Sequence, residues 1–506
     1  MTEPALEHPS RFAATAPDRP AVIVAESGDS LTYGQLEARS NQVAHLLRSY
    51  GLTVGDTVAI VMDNRTEYFE ATWGAMRAGL YVTPINWHLS AEETKYIVEN
   101  CGARVVLAAT DTAPLLDGIT VNRLVAGGAV DGFESYEAKR DEQPTTPIAD
   151  ECEGSWMFYS SGTTGRPKGI KPASVGGELG QPTTFTALVK GLYAGSESTV
   201  YLSPAPLYHA APSGWTSAVH RLGGTVVTMK RFDAEEFLAA IERHRVTLTQ
   251  VVPTHLVRLL KLPEEVRNRY DLSSLQILVH AAAPCPPDVK RACIEWLGPI
   301  VYEYYSGSEG VCFCTITSEE WLAHPGSVGR SLLGAVHIVD ELGEEVPTRT
   351  EGQVWFETPA KFEYYGDPDK TAAAFDRRGW STLGEMGWVD EEGYVYLTDR
   401  VSNMIISGGV NIYPREVEDA LVLHPGVTDV AVIGIPDPEM GEAVRAIVQP
   451  ASPPADPDAF AEELMAFCRE RIAHFKCPRS VVFVDELPRL ATGKIARRLL
   501  PAEVTA

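Results

Sequence analysis

The first 400 residues alternate between short apolar runs and stretches with helical spacing. Between residues 56 and 110, the apolar segments TVAIVM, YVTPIN and ARVVLAA are separated by two amphipathic stretches, and Ser90 and Glu93 form a capping box before the second. A buried strand, a helix and another buried strand in succession is the pattern of a βαβ unit, whose strands pair in parallel. This region predicts a parallel sheet covered by helices.

The same alternation returns between residues 224 and 279. The run TVVTM precedes a helical stretch that begins at Asp233, with Glu236 three positions on, and the runs TLTQVV and LQILV follow. We therefore predict an α/β fold, with a large N-terminal domain over residues 1–399 that contains mostly parallel, helix-covered sheets.

The pattern changes near residue 400. Short strands such as VAVIGI and AVRAIV are predicted to follow, and an amphipathic helix is predicted from Asp456 to Phe475. Charged, turn-prone sequence precedes residues 400–402 and a glycine pair follows them closely, which is typical of a linker. We predict a hinge at 400–402 and a smaller, mobile α+β domain over 403–506.

Length and charge limit the classes of function. A chain of 506 residues exceeds what one hydrophobic core usually organises, and a net charge of -25 opposes extended contact with nucleic acid or an anionic membrane surface. The N-terminal sequence lacks a signal-peptide pattern and no apolar run is long enough to span a bilayer, so we expect a soluble, cytoplasmic protein with no integral membrane segment. The eight scattered cysteines favour reduced structural thiols over a zinc site.

The segment YSSGTTGRPKG, residues 159–169, has the composition of a phosphate-binding loop. Glycines let backbone amides approach phosphate oxygens, hydroxyls add donors, and a lysine adds a positive charge. A flexible surface linker is the alternative on composition alone, and the Walker A loop is excluded because the lysine here precedes the last glycine. The candidate phosphate-binding residues are Ser160, Ser161, Gly162, Thr163, Thr164, Gly165 and Lys168.

This loop resembles the signature YTSGTTGxPKG of the adenylate-forming (AMP-binding) superfamily, which includes acyl-CoA synthetases, aryl-acid ligases, peptide-synthetase adenylation domains and beetle luciferases. Segments similar to the other motifs of the family follow in the family's order over nearly the whole chain: LSPAPLYHAAP at 202–212, AAAPCP at 281–286, YYSGSEG at 304–310, STLGEMGWVDEEGYVYLTDR at 381–400, ISGGVNIYPREVE at 406–418 and PRLATGK at 488–494. The resemblance implies that ATP, with Mg²⁺, activates a carboxylic acid as its acyl adenylate and that coenzyme A accepts the acyl group.

The resemblance also assigns the nucleotide contacts. YYSGSEG corresponds to the family motif YGxTE, which places Ser308 near the phosphates and Glu309 on Mg²⁺, for which a carboxylate is a suitable ligand. Glu385 stands where the family has a ribose-binding aspartate, and Arg400 follows fifteen residues later. Without these motifs, Glu309, Glu385 and Arg400 would be solvated surface charges. The residues assigned to adenine are Ala281, Ala282, Ala283, Pro284 and Tyr304.

In the same way, Lys494 is the catalytic lysine of the small domain, although a lone lysine is usually a solvated surface charge. The resemblance implies that this domain rotates about Ser402, where the family has Asp or Lys. Rotation would withdraw Lys494 and bring Gly408 and Gly409 to the pantetheine passage.

The acyl site is assigned to the segment PLYHAAP. His209 lies where many acyl and aryl ligases have a histidine that closes the acyl pocket, and this argues against an amino-acid substrate; a histidine packed within a loop is the alternative. The small residues Ala210, Ala211 and Gly214 favour a bulky or long acid. The segments IKPASVGGELGQP and EYYSGSEG together resemble ligases for fatty or steroid-derived acids. Arg231 and Lys476 are candidates for the CoA phosphates, with surface solvation as the alternative.

Other readings stay open. The acceptor could be a carrier-protein phosphopantetheine, or the protein could be a non-catalytic acyl or nucleotide sensor, although Lys168, Glu309 and Lys494 together favour catalysis. A serine hydrolase is set aside because the chain has no GxSxG segment. The oligomeric state is left open, with a homodimer as one alternative.

Overall fold

The computed structural model describes residues 6–160, 167–172, 175–400, 403–407, 410–438, 440–489, 495, 497–500 and 504. The chain divides into two compact units. The first comprises Met1–Val251, Leu262–Val279 and Lys361–Pro368, and the second comprises Val252–Lys261, His280–Ala360 and Asp369–Ala506. The hinge at 400–402 stays a prediction.

One sheet of the first unit is parallel throughout. Its strands lie in the order Glu134–Ser135, Asn122–Ala126, Ala103–Ala109, Thr57–Val61, Tyr81–Pro84 and Ser155–Trp156. Every residue of the central strand Thr57–Val61 is buried, as expected for a parallel strand covered on both faces. The accompanying helices are Pro9–Thr15, Tyr33–Ser49, Thr66–Arg77, Ala91–Asn100 and Tyr136–Asp141, with a 3₁₀ turn at Ala113–Leu116.

The βαβ prediction for residues 56–110 is confirmed here. The Ser90 hydroxyl accepts the Glu93 N–H at 3.3 Å, and the Glu93 carboxylate accepts the Ser90 N–H at 3.0 Å. The capping box thus satisfies two donors that the helix Ala91–Asn100 leaves unpaired at its start.

A second sheet in this unit places Val200–Ser203 between Leu248–Val251 and Thr225–Thr228, both parallel to it. Pro20–Val24 continues the sheet in parallel, and Ser30–Thr32 pairs with it antiparallel. Ile277–His280 begins in the same unit. The helices of this region are Thr184–Leu192, Ala210–Arg221, Ala234–His244 and Glu264–Arg267.

Two smaller features complete the first unit. Asp233 accepts the N–H groups of Glu235 and Glu236, which confirms the predicted start of the helix Ala234–His244. A small antiparallel sheet contains Phe158–Ser160, Lys168–Lys171 and Glu363–Tyr364.

In the second unit, the strands are mostly antiparallel. Val301–Tyr305, Phe313–Ile316 and Arg330–Leu333 pair in succession. A separate sheet has the order Ala335–Val339, Gly352–Glu357, Glu385–Val389 and Val395–Arg400. The helices are Pro253–Leu260, Pro287–Leu297 and Ser318–Ala323. A further helix, Pro368–Ala373, belongs to this unit from Asp369 onward.

The last hundred residues have the α+β character that the sequence predicts. Their sheet has the order Val410–Ile412, Ile405–Ser407, Gly441–Pro450 and Val427–Asp437, and Ser480–Phe483 pairs in parallel with Gly441–Pro450. The helices are Pro414–Leu421 and Pro457–Arg469, with 3₁₀ turns at His474–Lys476 and Arg497–Leu499.

Three predicted elements in this region had the wrong length. VAVIGI and AVRAIV are parts of long strands, Val427–Asp437 and Gly441–Pro450, which form one antiparallel hairpin rather than separate short strands. The helix predicted to reach Phe475 ends at Arg469, because the chain turns so that Ile472 and Cys477 pack against the core around Leu464 and Cys468.

Among the described residues, no helix combines the length and apolar character needed to cross a bilayer. The cysteines are free thiols, and all but Cys152 are buried.

A buried charge cluster in the second unit contains Lys290, Glu303 and His280. The Nζ atom of Lys290, which is wholly buried, lies 2.6 Å from Oε2 of Glu303, and Nε2 of His280 lies 3.4 Å from the same oxygen. Burial raises the pKa of Glu303, but Lys290 and His280 outweigh it, so the pKa of this carboxyl is lowered overall. Burial lowers the pKa of His280 to about 4, so its imidazole is neutral near pH 7.

We expect Lys290→Met to destabilise the protein by about 3–5 kcal/mol, because the variant leaves the Glu303 carboxylate buried without its lysine. The double variant Lys290→Met/Glu303→Met should regain most of that loss. Chemical denaturation measures both. Lys139→Ala, which removes an exposed ion pair at 3.7 Å from Glu134, is the control and should change stability by less than about 0.5 kcal/mol. If Lys290→Met is as stable as the wild type, that result would contradict the burial of an ionised pair.

Candidate functional site

Two described strands flank the predicted phosphate loop. Phe158–Ser160 precedes it and Lys168–Lys171 follows it, and Lys168 lies opposite Ser160 in the antiparallel register. The strands therefore bring the two ends of the loop together. Ser161, Gly162, Thr163, Thr164 and Gly165 lie outside the described residues, so their phosphate contacts stay predictions.

Lys168 has a partner that the sequence did not indicate. Its Nζ atom lies 2.6 Å from Oδ2 of Asp367, which is 199 residues away in the chain. The N–H of Tyr365 donates to the carbonyl of Gly169 at 2.8 Å, so the segment that carries Asp367 is fixed against the strand that carries Lys168. The pair borders a cavity of about 360 Å³. The other lining residues are Tyr96, Asn100, Pro167, Tyr365 and Gly366.

The predicted adenine segment follows Ile277–His280 directly, and Ala281, Ala282, Ala283 and Pro284 are consecutive there. Ala282 has a φ of 74°, a left-handed conformation that few non-glycine residues adopt and that is often found at functional sites. The contact between His280 and Glu303 joins this segment to Tyr304, because each residue is the immediate neighbour of a predicted adenine contact. The Tyr304 ring is buried and stacks on Phe313 at 5.1 Å.

The loop with Ser308 and Glu309 has a fixed shape. The Ser306 hydroxyl donates to the carbonyl of Cys312 at 2.7 Å, which closes the loop. Glu309 is half-buried and folds back over Gly307, where an added Cβ would lie 2.7 Å from its Oε2. A side chain at position 307 would require the Glu309 carboxylate to move, while Ser308 is exposed.

The predicted ribose pair lies on adjacent strands. Glu385 and Arg400 are partners in the antiparallel register of Glu385–Val389 and Val395–Arg400. Burial raises the pKa of the Cys312 thiol, and the carboxylates of Glu309 and Glu385 both add to that rise. Both acids therefore lie near the same thiol. The structure brings the predicted metal ligand and the predicted ribose ligand into one neighbourhood.

His209 begins the helix Ala210–Arg221 in the first unit. Burial lowers the pKa of His209 to about 3, so the imidazole is neutral at physiological pH. Along the helix, the positions that are only partly buried in its first two turns are all small. They are Ala210, Ala211, Gly214 and Ser217.

The remaining candidates differ in their surroundings. Arg231 is exposed in the first unit. In the second unit, Nζ of Lys476 lies 2.5 Å from Oε2 of Glu416, so a phosphate at Lys476 would lie beside a carboxylate. The predicted residues Lys494, Ser402, Gly408 and Gly409 lie outside the described residues.

A family model described as AMP-binding enzyme matches residues 10–365, and one described as AMP-binding enzyme C-terminal domain matches residues 416–494. The chain belongs to the AMP-binding enzyme family. It is an AMP-forming acid–thiol ligase. The two matches thus confirm the class of enzyme and the use of ATP that the sequence predicts.

Relatives and a solved structure align over nearly the whole length of this ligase. It is 35% identical over 485 residues to feruloyl-CoA synthase of Amycolatopsis sp., covering 94% of each chain. It is 31% identical over 504 residues to long-chain-fatty-acid–CoA ligase FadD13 of Mycobacterium tuberculosis, covering 98% of each. The crystal structure of the anthranilate CoA ligase AuaEII in complex with anthranoyl-AMP has 25% identity and a TM-score of 0.83, covering 98% of this chain and 96% of that one.

Because the His209 imidazole is neutral, the ligase should show no titration of this residue between pH 5 and 8. We expect the pH profile of kcat/KM for the acid to keep the same shape in His209→Asn, even where its magnitude falls. The profile should be measured at saturating ATP. An inflection near pH 6.5 in the wild type that His209→Asn removes would show instead that His209 gains its proton in the normal range.

Proposed function

We propose that this ligase is an acyl-CoA synthetase that converts a fatty or steroid-derived acid, ATP and CoA into acyl-CoA, AMP and pyrophosphate. The observation that carries the proposal is the register of Glu385 opposite Arg400, close to the loop that carries Glu309. A carboxylate held at that position can accept hydrogen bonds from both ribose hydroxyls. Similarity to feruloyl-CoA synthase and to FadD13 supports coenzyme A as the acceptor.

In the first half of the proposed reaction, a carboxylate oxygen of the acid attacks the α-phosphorus and pyrophosphate leaves. This chemistry requires alignment and positive charge near the phosphate oxygens. Lys168 supplies one charge at the end of the phosphate loop, and Asp367 fixes its position before ATP arrives. Lys494 is proposed to contact the α-phosphate and the substrate carboxylate.

Glu309 is the proposed ligand for Mg²⁺. The residues that the structure describes contain no group of three or more His, Cys, Asp or Glu side chains that could hold a metal ion. One carboxylate fits Mg²⁺ beside ATP, since this ion keeps several waters and takes its other ligands from phosphates. When bound, Mg²⁺ offsets negative charge on the phosphates. Glu309 is half-buried, and its carboxylate lies close to Gly307.

In the second half, the CoA thiol attacks the carbonyl carbon of the acyl adenylate and AMP leaves. We propose residues 400–402 as the hinge, with Ser402 at its centre, and residues 403–506 as the domain that turns. Gly408 and Gly409 are proposed to line the pantetheine passage. Arg231 and Lys476 are proposed to bind the CoA phosphates. The cytoplasm, which supplies ATP and CoA, is the proposed location.

The acyl group is proposed to lie along the small residues Ala210, Ala211 and Gly214, with the neutral His209 at its end. A neutral imidazole suits this role because an apolar acid would leave a buried imidazolium without a counter-charge. The long-chain substrate in the name of FadD13 is consistent with this choice.

A screen for pyrophosphate release, with ATP, Mg²⁺, CoA and a panel of fatty, aromatic and steroid-side-chain acids, tests the proposal. Lys494→Ala should slow adenylation by about 10²–10³-fold, by analogy with the loss of one preorganised donor to a developing charge. Lys95→Ala, on an exposed helix position, is the control. CoA-dependent turnover of one acid class that collapses only in Lys494→Ala supports the synthetase. Pyrophosphate without thioester would indicate a carrier-protein acceptor, and ATP binding without pyrophosphate for any acid would indicate a sensor.

A methyl group at position 214 tests the acyl assignment. A Cβ there would lie 3.5 Å from Cε1 of Phe185, an ordinary contact, so Gly214→Ala should fold normally. We expect kcat/KM for bulky acids to fall at least about tenfold relative to a short acid, because one methylene matters this much in a tight apolar site. Gly191→Ala, where a Cβ meets no atom within 4 Å, is the control. Equal kcat/KM ratios in Gly214→Ala and the wild type would place the acyl group elsewhere.

A further inference from the structure

Asn64 is a buried asparagine that uses both ends of its amide to connect two sheets of the first unit. It follows the strand Thr57–Val61 and is 2% exposed. Its Nδ2 donates to the carbonyl of Ala205 at 3.0 Å and to that of Met229 at 2.7 Å, and its Oδ1 accepts the N–H of Leu207 at 2.9 Å. These two carbonyls and one N–H lie just after two strands of the other sheet. Ala205 and Leu207 follow Val200–Ser203, and Met229 follows Thr225–Thr228.

Two of the three bonds, those with Ala205 and Leu207, reach the loop that carries His209. Asn64 holds the N–H of Leu207, and the Tyr68 hydroxyl donates to the carbonyl of the same residue at 2.7 Å. The Ser213 hydroxyl also donates to that carbonyl. Both peptide groups of Leu207 are therefore anchored, two residues before His209. From there the chain enters the helix Ala210–Arg221, where the N–H of Ser213 donates to the carbonyl of His209 at 3.1 Å.

We propose that Asn64 is a positioning residue for the acid substrate, acting through residues 204–209 on Tyr208 and His209. The inference rests on the proposed function, because that proposal assigns His209 to the acyl site. Without the Asn64 amide, one N–H and two carbonyls in a buried region lose a partner, and water or a loop shift must replace it. Residues that line a binding site must be held to within about 0.5 Å for productive geometry. A shift of the loop 204–209 should therefore weaken binding of the acid and leave the nucleotide site unchanged.

The test compares Asn64→Ala and Asn64→Asp with wild type for KM of the acid, KM of ATP, kcat and the order of preference among the acids. Asn64→Asp keeps the acceptor for Leu207 but replaces the donor to Ala205 and Met229 with an oxygen. Asn41→Ala is the matched control. Asn41 is 1% exposed in the same unit and donates to the carbonyl of Thr145 at 2.9 Å, with no bond to residues 204–209. Tyr68→Phe removes the hydroxyl bonds to Leu207 and to Ser213 but leaves the Asn64 amide in place, and it serves if the Asn64 variants do not fold.

We expect the Asn64 variants to raise KM for the acid at least about tenfold and to alter the order of acid preference, with KM for ATP within about twofold of wild type. Tyr68→Phe should change acid KM in the same direction by a smaller factor, and Asn41→Ala should leave the ratio of the two KM values unchanged. An equal rise in KM for the acid and for ATP would overturn the inference and leave Asn64 a structural residue. A ratio of acid KM to ATP KM that matches the ratio in Asn41→Ala would do the same.

His209→Ala separates this inference from the function on which it rests. If His209→Ala raises acid KM while the folded Asn64 variants and Tyr68→Phe do not, the positioning role is wrong and the acyl site stands. If His209→Ala has no effect on acid KM, the acyl assignment fails and the role of Asn64 fails with it. Absence of turnover by the wild type with every acid would remove the proposed function itself.

Discussion

The site depends on one constraint, which is that parallel strands end together at one edge of a sheet. In the first unit, Val200–Ser203 lies between two strands that run parallel to it, so the loops that follow these strands leave from the same edge. One of these loops carries His209 and another carries Arg231. The apolar strands thus decide where polar side chains can meet. Helices such as Ala210–Arg221 then begin at that edge and present their first turns to it.

Polar side chains hold those loops in place once the strands have set the edge. Asn64 joins the carboxyl ends of two sheets, and Asp367 holds Lys168 at 2.6 Å. In the second unit, Lys290 neutralises Glu303 between the two segments assigned to adenine. Asn64, Lys290 and Glu303 are buried, so their contacts form in surroundings where an unpaired partner is costly, whereas Lys168 and Asp367 are only partly buried. A common consequence is preorganisation, since the side chains need little rearrangement when substrates bind.

The local sequence pattern predicts much of this arrangement. It does not predict the contacts between residues that are far apart in the chain. Apolar periodicity and the capping box at Ser90 were enough for the βαβ units, because both depend on residues close in sequence. The ion pair of Lys168 with Asp367 joins residues 199 apart, and the bonds of Asn64 span 141 to 165 residues. The helix that ends at Arg469 was overextended because packing of Ile472, and not local propensity, ends it. Motif resemblance found Glu385 and Arg400, but only the sheet register places them side by side.

We infer that the acid is joined to AMP before any thiol takes part. The decisive measurement is exchange of labelled pyrophosphate into ATP, with the preferred acid and in the complete absence of CoA. Since adenylation and its reversal need only the acid, ATP and the metal, we expect acid-dependent exchange without CoA. Exchange that requires CoA, in a protein that still makes acyl-CoA, would contradict an adenylate formed ahead of the thiol step.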